Sequence, residues 1–338
     1  MQPMKTFLII LCATTFVFAQ EEPKVLFQTQ DIIPIQISFS NRDLKKNDND
    51  TIYFDAAMKF QTIDGVWNDI NVGVRARGNF RRSTCYFPPI KMKIKKSDAK
   101  GTIFKGNKKL KLVIPCLQEK NKNDNILKEL IGYKLYEIIS PYHFKTRQVA
   151  IDFDEIKRKK IVKHDLNGFF IEDDKNVAKR FGGKVFERFI HPLAMNAEAS
   201  VQNIFFQYMI GNTDFSVAYQ HNGKLLYADK QIIPLPYDFD MSGLVDPSYA
   251  VANEALGLRD IQDRAYRGFK RDEALMNDVR AQFLNNKEAF FAIIDGFKTQ
   301  FDNPKEHQEV VDYIASFFDV IESDKLFQSK IMDKMRTK

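Results

Sequence analysis

Three aspartates between residues 211 and 243 are the strongest candidates for chemistry in this sequence. Asp214 follows an apolar helix-like stretch, and Asp238 and Asp240 follow an apolar strand-like stretch. Two residues apart on a strand, Asp238 and Asp240 would share one face, where carboxylates repel each other unless a cation, a shared proton or solvent intervenes. Mg²⁺ suits such a pair, and a further carboxylate can orient an attacking hydroxyl group. The alternative is a solvated turn, in which Asp is common.

The elements that position these aspartates follow from periodicity. Alternation of apolar and polar residues predicts strands in the first half of the chain, as in 90–95, where every second residue is lysine. The predicted strands span residues 33–39, 51–60, 72–77, 90–94, 109–113, 147–153 and 167–172. Lysines on such a strand also serve simply as its solvated face.

Helices dominate the second half. Apolar residues at helical spacing predict helices over 125–139, 197–211, 271–284, 287–301, 305–321 and 325–335, with short strands between 216 and 236. Strands that are segregated from helices indicate an α+β fold. Because no long Pro-, Gly- or Ser-rich linker separates the halves, we predict two lobes that form one continuous unit with a cleft between them.

Several short motifs, in this order, resemble those of the CotH kinase family, which is named after a spore coat protein. The motifs are Val74-Arg75-Ala76-Arg77-Gly78-Asn79, Lys91-x-Lys93, Gly168-Phe169-Phe170-Ile171-Glu172, Asn212-Thr213-Asp214, His221-Asn222 and Pro236-Tyr237-Asp238-Phe239-Asp240. The resemblance covers about half the chain. It implies one domain over 21–335 with a two-lobed protein-kinase-like fold, a strand-rich N-lobe over about 21–172 and a helix-rich C-lobe over about 173–335.

The resemblance also implies roles for the acidic segment. Asp214 would orient the acceptor hydroxyl, Asn222 would support the metal, and Asp238 or Asp240 would hold Mg²⁺ or Mn²⁺. For His221 both a site role and a structural role are open.

The same resemblance assigns nucleotide contacts to the first half of the chain. Lys91 or Lys93, after the turn that contains Arg77, would touch the phosphates of ATP. Glu129 would pair with that lysine, and Glu172 would lie on the strand that joins the lobes. The alternatives are that Glu129 is exposed helix surface and that Arg77 pairs structurally with an acidic loop.

Departures from the family pattern leave more than one function open. Ala76 stands where glycine is usual, Phe80 stands where serine is usual, and no basic residue follows Asp214. The resemblance implies binding of Mg- or Mn-ATP and transfer of phosphate to protein Ser or Thr. The alternatives are an inactive surface or assembly protein and a metal-dependent phosphoester hydrolase.

The N-terminus has the layout of a secretory signal peptide. Residues 1–19 contain one charge, Lys5, then a short apolar run, and end in Val17-Phe18-Ala19. This predicts a secreted, envelope or periplasmic protein, with an uncleaved anchor as the alternative. We predict no transmembrane segment after the signal, because no later apolar run is long enough.

Cysteine content and charge narrow the class further. Outside the predicted signal, Cys85 and Cys116 are the two cysteines, and they form either a disulfide or two free buried thiols. The formal charge of +7 becomes +6 without Lys5. This mild basic excess favours anionic partners such as nucleotides, but the sequence has no nucleic-acid recognition motif, so nucleic acid is not an expected partner.

Overall fold

The computed structural model describes residues 21–47 and 49–337 of the chain. The predicted signal peptide lies outside these residues. Within them, no helix is both long enough and apolar enough to cross a membrane.

Seven strands of the first half form a closed barrel. They are β1 (Ile33–Phe39), β2 (Phe54–Gln61), β3 (Trp67–Ala76), β4 (Ile90–Ile94), β5 (Lys109–Val113), β6 (Thr146–Lys157) and β7 (Lys160–Ile171). Their alternation places one apolar set inside, including Val74, Met92 and Leu112, and the polar set outside. The barrel interior is one of the two main cores of the protein.

Closure of the barrel corrects the predicted fold class. The strand order is β1-β2-β3-β4-β5-β7-β6, and β1 pairs in parallel with β6 over all seven of its residues. The pairing of β1 with β6 leaves the sheet without an open edge. The predicted two-lobed protein-kinase-like fold is therefore wrong, because the strands close into a mixed barrel.

The described part of the chain also contains ten α-helices. They are α1 (Asn41–Lys46), α2 (Asn79–Thr84), α3 (Lys96–Ala99), α4 (Lys122–Ile139), α5 (Asp174–Arg180), α6 (Ala197–Met209), α7 (Glu273–Asn285), α8 (Lys287–Gly296), α9 (Pro304–Glu322) and α10 (Asp324–Lys330). A small sheet of β8 (Lys184–Phe186), β9 (Gly223–Ala228) and β10 (Gln231–Pro236) lies among them.

A second core joins these helices to the barrel. It includes Val113 and Phe169 of the barrel strands, the apolar face of α4, and Phe239 in the loop after β10. The two halves of the chain are thus continuous through packed side chains. This continuity brings Tyr237, in the loop after β10, against Lys111 on the outer face of β5.

One disulfide braces the start of this region. Cys85, directly after α2, is bonded to Cys116, three residues beyond the end of β5, at a sequence separation of 31. The N–H of Phe87 also donates to the carbonyl of Cys116 at 3.1 Å. Together these bonds hold α2 against the end of the barrel.

Candidate functional site

Arg81 lies between the two aspartates of the loop after β10. It forms an ion pair with Asp238 and a second one with Asp240, whose Oδ2 is 3.0 Å from Nη1 of Arg81. Arg77 approaches Asp238 from the end of β3 at 3.7 Å. The short helix α2 delivers Arg81 to this position, and Gly78 makes the turn into α2 at φ 72°, a conformation that favours glycine.

The backbone of Asp238 is held in an unusual conformation. Its φ of 68° lies in the left-handed region, which is sparsely populated by residues other than glycine. The Asp238 N–H donates to the hydroxyl of Tyr133 on α4 at 2.8 Å, and the Tyr133 ring packs against Phe239 at 4.5 Å between centroids. Strained residues of this kind cluster at binding and catalytic sites.

Glu129 adds a third carboxyl group beneath this pair. Burial, followed by the charges of Asp240 and Asp238, raises the pKa of Glu129 well above its usual range. Its Oε1 atom is buried without a hydrogen-bond partner among the described residues. Arg81 and Arg77, rather than Lys91 or Lys93, are the cations that act on the pKa of Glu129.

The two aspartates differ in their protonation behaviour. Burial opposes ionisation of both, but Arg81 and Arg77 lower the pKa of Asp238 to about 2. For Asp240 the effect of burial exceeds that of Arg81, so its pKa is raised. The hydroxyl of Tyr249 donates to Asp240 at 3.2 Å. The cluster is thus built from three acidic groups against two guanidinium groups.

A row of cations lies on the outer face of the barrel, beside the cluster. Arg75 on β3 is paired in register with Lys91 on β4, and Lys91 is paired with Lys111 on β5. Like charges directly opposite each other on neighbouring strands destabilise a sheet. Only Arg75 of this row has an acidic partner, Asp50, in an ion pair among the described residues. Asp173, Asp174 and Asp238 act on these lysines only from beyond ion-pair distance. The row therefore still offers two lysines to a bound anion.

Lys111 is the most unusual member of this row. Its Nζ atom is buried with no hydrogen-bond partner in the described structure, 3.9 Å from the ring centroid of Tyr237 and 5.1 Å from that of Phe144. Burial, followed by the charge of Arg77, lowers the pKa of Lys111 to about 7. Arg77 itself has two buried guanidinium nitrogens, Nε and Nη2, without partners there. Buried donors normally have a hydrogen-bond acceptor, so these unpartnered donors indicate a place where a ligand could supply one.

A second cluster of polar side chains, Asp214, His221 and Asn222, lies beyond the end of α6. The Asp214 carboxylate accepts from Asn222 Nδ2 at 2.9 Å and lies 2.9 Å from Nε2 of His221. The side chains of Asp214 and His221 are 46% and 58% exposed, so solvent and ligands reach both. Asn222 also donates to the carbonyl of Asp214 at 2.6 Å. These hydrogen bonds hold the Asp214 carboxylate in place while it remains accessible to solvent.

The remaining predicted residues lie apart from the cluster. Glu172 is fully buried and forms an ion pair with Arg180 at 3.0 Å, which ties β7 to α5. Lys93 is exposed on the barrel, 5.7 Å from the ring centroid of Tyr53. The structure therefore brings Arg77, Asp238, Asp240 and Glu129 together. Glu172 and Lys93 lie apart from this cluster, in the contacts described above.

The two predicted carboxylate ligands of the metal are already engaged with a protein group, because Arg81 binds both Asp238 and Asp240. The Asn222 amide nitrogen donates to Asp214, which leaves the amide oxygen as the atom that could bind a metal. Over the described ranges, 21–47 and 49–337, no group of three or more His, Cys, Asp or Glu side chains is arranged to hold a metal ion. The described residues as arranged therefore do not fit a metal ion held by protein side chains alone.

Sequence reasoning missed two residues that carry this site. Lys111 belongs to an alternating stretch that reads as a strand with a solvated lysine face, and nothing local distinguishes it from Lys109. Arg81 follows the Gly78 turn in a stretch with no predicted helix. The one available signal for Arg81 was its place, three residues after a glycine in a motif-bearing segment.

No protein-family model matches the chain, and a search of curated proteins finds no match either.

The buried lysine predicts a pH-dependent stability. Because the pKa of Lys111 falls from its ordinary 10.5 to about 7 on folding, the unfolded chain binds more protons between these values. The free energy of unfolding should therefore rise as pH increases above about 7. Lys111→Met should remove most of this rise, whereas Lys109→Met on the same strand should retain it. Urea unfolding at about pH 6.5 and about pH 9 measures the free energy of unfolding of each variant. An equal rise of this free energy with pH in both variants would contradict the prediction.

Proposed function

We propose that this protein binds a nucleoside triphosphate between the outer face of β3, β4 and β5 and the loop 237–240. The observation that carries the proposal is the buried ammonium of Lys111 beside Arg77, both with donors that lack partners in the described structure. Phosphate oxygens are strong acceptors that arginine and lysine bind through charge-assisted hydrogen bonds. A triphosphate would supply several such oxygens along the row of cations.

The nucleoside part of the ligand rests on the resemblance to the CotH family. The order of the motifs from Arg77 to Asp240 supports the proposal that the protein belongs to that family. This proposal does not depend on the predicted fold class, which the closed barrel corrects. In the same sense, the Cys85–Cys116 disulfide supports export, because disulfides persist in oxidising compartments. Secretion or location in the cell envelope is thus part of the proposal.

Phosphoryl transfer to protein Ser or Thr is the activity proposed for this site. The terminal phosphoryl group would pass to an acceptor hydroxyl, whose proton goes to Asp214 while the nucleoside diphosphate leaves. The exposed carboxylate of Asp214, oriented by Asn222 and His221, supports this role. The loop that carries Asp238 lies next to the loop that carries Asn222, because the Tyr237 N–H donates to the Asn222 carbonyl at 3.4 Å.

A second candidate function is nucleotide binding without turnover, in a surface or assembly protein. The ion pairs of Arg81 with Asp238 and Asp240 favour it, because they occupy the carboxylates that the resemblance assigns to Mg²⁺. An Asp214→Asn variant separates the candidates. If transfer occurs, the variant keeps nucleotide affinity and loses incorporation of labelled phosphate into a Ser-rich acceptor such as dephosphorylated casein.

Calorimetric titration with ATP tests the binding site. Lys111→Met should weaken ATP binding about tenfold to hundredfold, because it removes a charge-assisted hydrogen bond to phosphate. Lys109→Met, an exposed lysine on the same strand, is the matched control and should bind like the unchanged protein. AMP should bind much more weakly than ATP, and binding should persist in EDTA.

Two results would contradict the proposed site. One is equal ATP affinity in Lys111→Met and Lys109→Met proteins that are both folded by circular dichroism. The other is the absence of measurable ATP binding to the unchanged protein, with and without Mg²⁺ or Mn²⁺. Phosphoester cleavage without nucleotide would instead favour the hydrolase alternative.

A further inference from the structure

A cavity of about 230 Å³ lies beside the Asp214 turn, on the side away from the barrel. Its floor is one face of α6, and its walls are the segment 215–219 and the segment 266–271. Three arginines and one histidine line it, whereas none of the described residues that line it is acidic. The cavity therefore carries a net positive charge next to the proposed acceptor site.

The three arginines are satisfied by neutral groups. Arg267 donates to the carbonyls of Thr213 and Phe215 at 2.6 and 2.8 Å, and Arg271 donates to that of Pro192 at 2.7 Å. The exposed Arg336 lies over the ring of Phe269, 4.3 Å from its centroid. None of the three forms an ion pair with a carboxylate in the part of the chain that the structure describes. Their charges are therefore available to an anionic ligand.

Exposed aromatic rings surround the mouth of the cavity. Phe189 and Tyr219 are 61% and 79% exposed, and their ring centroids are 5.2 Å apart. Within the cavity, His191 packs edge-on against Phe269 at 4.9 Å. Aromatic residues and arginine are enriched at the centres of protein–protein interfaces, and acidic residues are depleted there. This composition fits a polypeptide partner better than a fully enclosed small molecule.

We propose that this cavity docks an acidic segment of another polypeptide, which inserts one aromatic side chain beside Phe189 and Tyr219 and places carboxylates near the three arginines. Charge complementarity selects an acidic partner over a basic one. Arg267 holds the backbone on both sides of Asp214, so a docked segment passes the proposed acceptor site. The assignment of the segment as a phosphate acceptor rests on the proposed function, whereas docking itself does not.

Fluorescence anisotropy with dye-labelled peptides tests the docking. The probe is Glu-Glu-Tyr-Glu-Glu, and the comparison peptides are Lys-Lys-Tyr-Lys-Lys and Glu-Glu-Gly-Glu-Glu. The acidic tyrosine peptide should bind with an affinity that falls as salt increases, and both comparison peptides should bind at least about tenfold more weakly. Each comparison removes one of the two recognition elements.

Variants at exposed positions locate the bound peptide. Arg336→Ala and Tyr219→Ala should each weaken binding of the acidic tyrosine peptide about fivefold or more. Their matched controls, Arg158→Ala on the barrel and Tyr227→Ala on β9, should leave it unchanged. Both target side chains are exposed, so loss of folding is not the expected cause of an effect.

Three results would overturn the docking proposal. They are equal binding of the basic peptide, no peptide binding by a protein that still binds ATP, and binding of benzoate without any binding of the acidic peptide. The last result would identify a site for small aromatic carboxylates. Peptide binding by a protein that does not bind ATP would overturn the proposed function and leave the docking site intact.

Discussion

Arg81→Met should lower the free energy of unfolding by about 3–5 kcal/mol, which is the cost of removing one partner from a buried ion-pair network. Arg81 is the shared cation of Asp238 and Asp240, and its charge also offsets the burial of Glu129. Without Arg81, Arg77 and the more distant Lys111 are the cations that still act on Asp238. Urea unfolding at neutral pH measures the loss.

The neighbouring residue provides the control for this experiment. Arg82 lies on the same helix and donates to the carbonyl of Asn47 at 3.3 Å, so Arg82→Met should cost less than about 1 kcal/mol. Adding Asp240→Asn to Arg81→Met should recover part of the stability, because it removes one uncompensated carboxylate. Equal unfolding free energies for Arg81→Met and Arg82→Met would show that the cluster does not depend on Arg81.

The Arg81 variant also tests the metal expectation directly. With Arg81 removed, Asp238 and Asp240 lose their shared cation, so Mn²⁺ should raise the melting temperature of Arg81→Met more than that of the unchanged protein. An equal and large Mn²⁺ effect in the unchanged protein would mean that a metal displaces Arg81 from its aspartates. The site would then be closer to the one that the CotH resemblance implies.

Replacing both Cys85 and Cys116 with serine should lower the free energy of unfolding by about 3–4 kcal/mol. The bridge closes a loop with a sequence separation of 31, and the entropy of a loop of that length in the unfolded chain accounts for this magnitude. Urea unfolding of the oxidised protein and of the double variant measures the difference. A reducing agent should destabilise the unchanged protein by a similar amount and leave the double variant unaffected.

The disulfide should also influence the site, because the N–H of Cys85 donates to the carbonyl of Arg81 at 2.9 Å at the end of α2. Loss of the bridge loosens the helix that presents Arg81 to the aspartates. ATP affinity should therefore fall in the double variant more than in Lys109→Met. Unchanged stability on reduction would contradict the structural role of the bridge.

Local patterns identified many of the elements but not their burial. The alternation over 90–94 and the helical spacing over 197–211 correspond to β4 and to α6, within two residues at each end. The segment 287–301 was predicted as one helix, but α8 ends at Gly296 and a short 3₁₀ turn follows. Lys111 shows the limit of such patterns, because the loop with Tyr237 covers a lysine that alternation assigns to solvent.

The sequence by itself determined most of the strands and the longer helices, the apolar faces of the barrel strands and the aspartates that could do chemistry, because these depend on neighbours within one or two turns of chain. Only the tertiary structure decided that β1 meets β6 to close a barrel and that Arg81 meets Asp238 across a sequence separation of 157 residues. Pairings at that distance arise from packing of the whole chain. No local periodicity encodes them, and so the kinase-like architecture was predicted where a closed barrel forms.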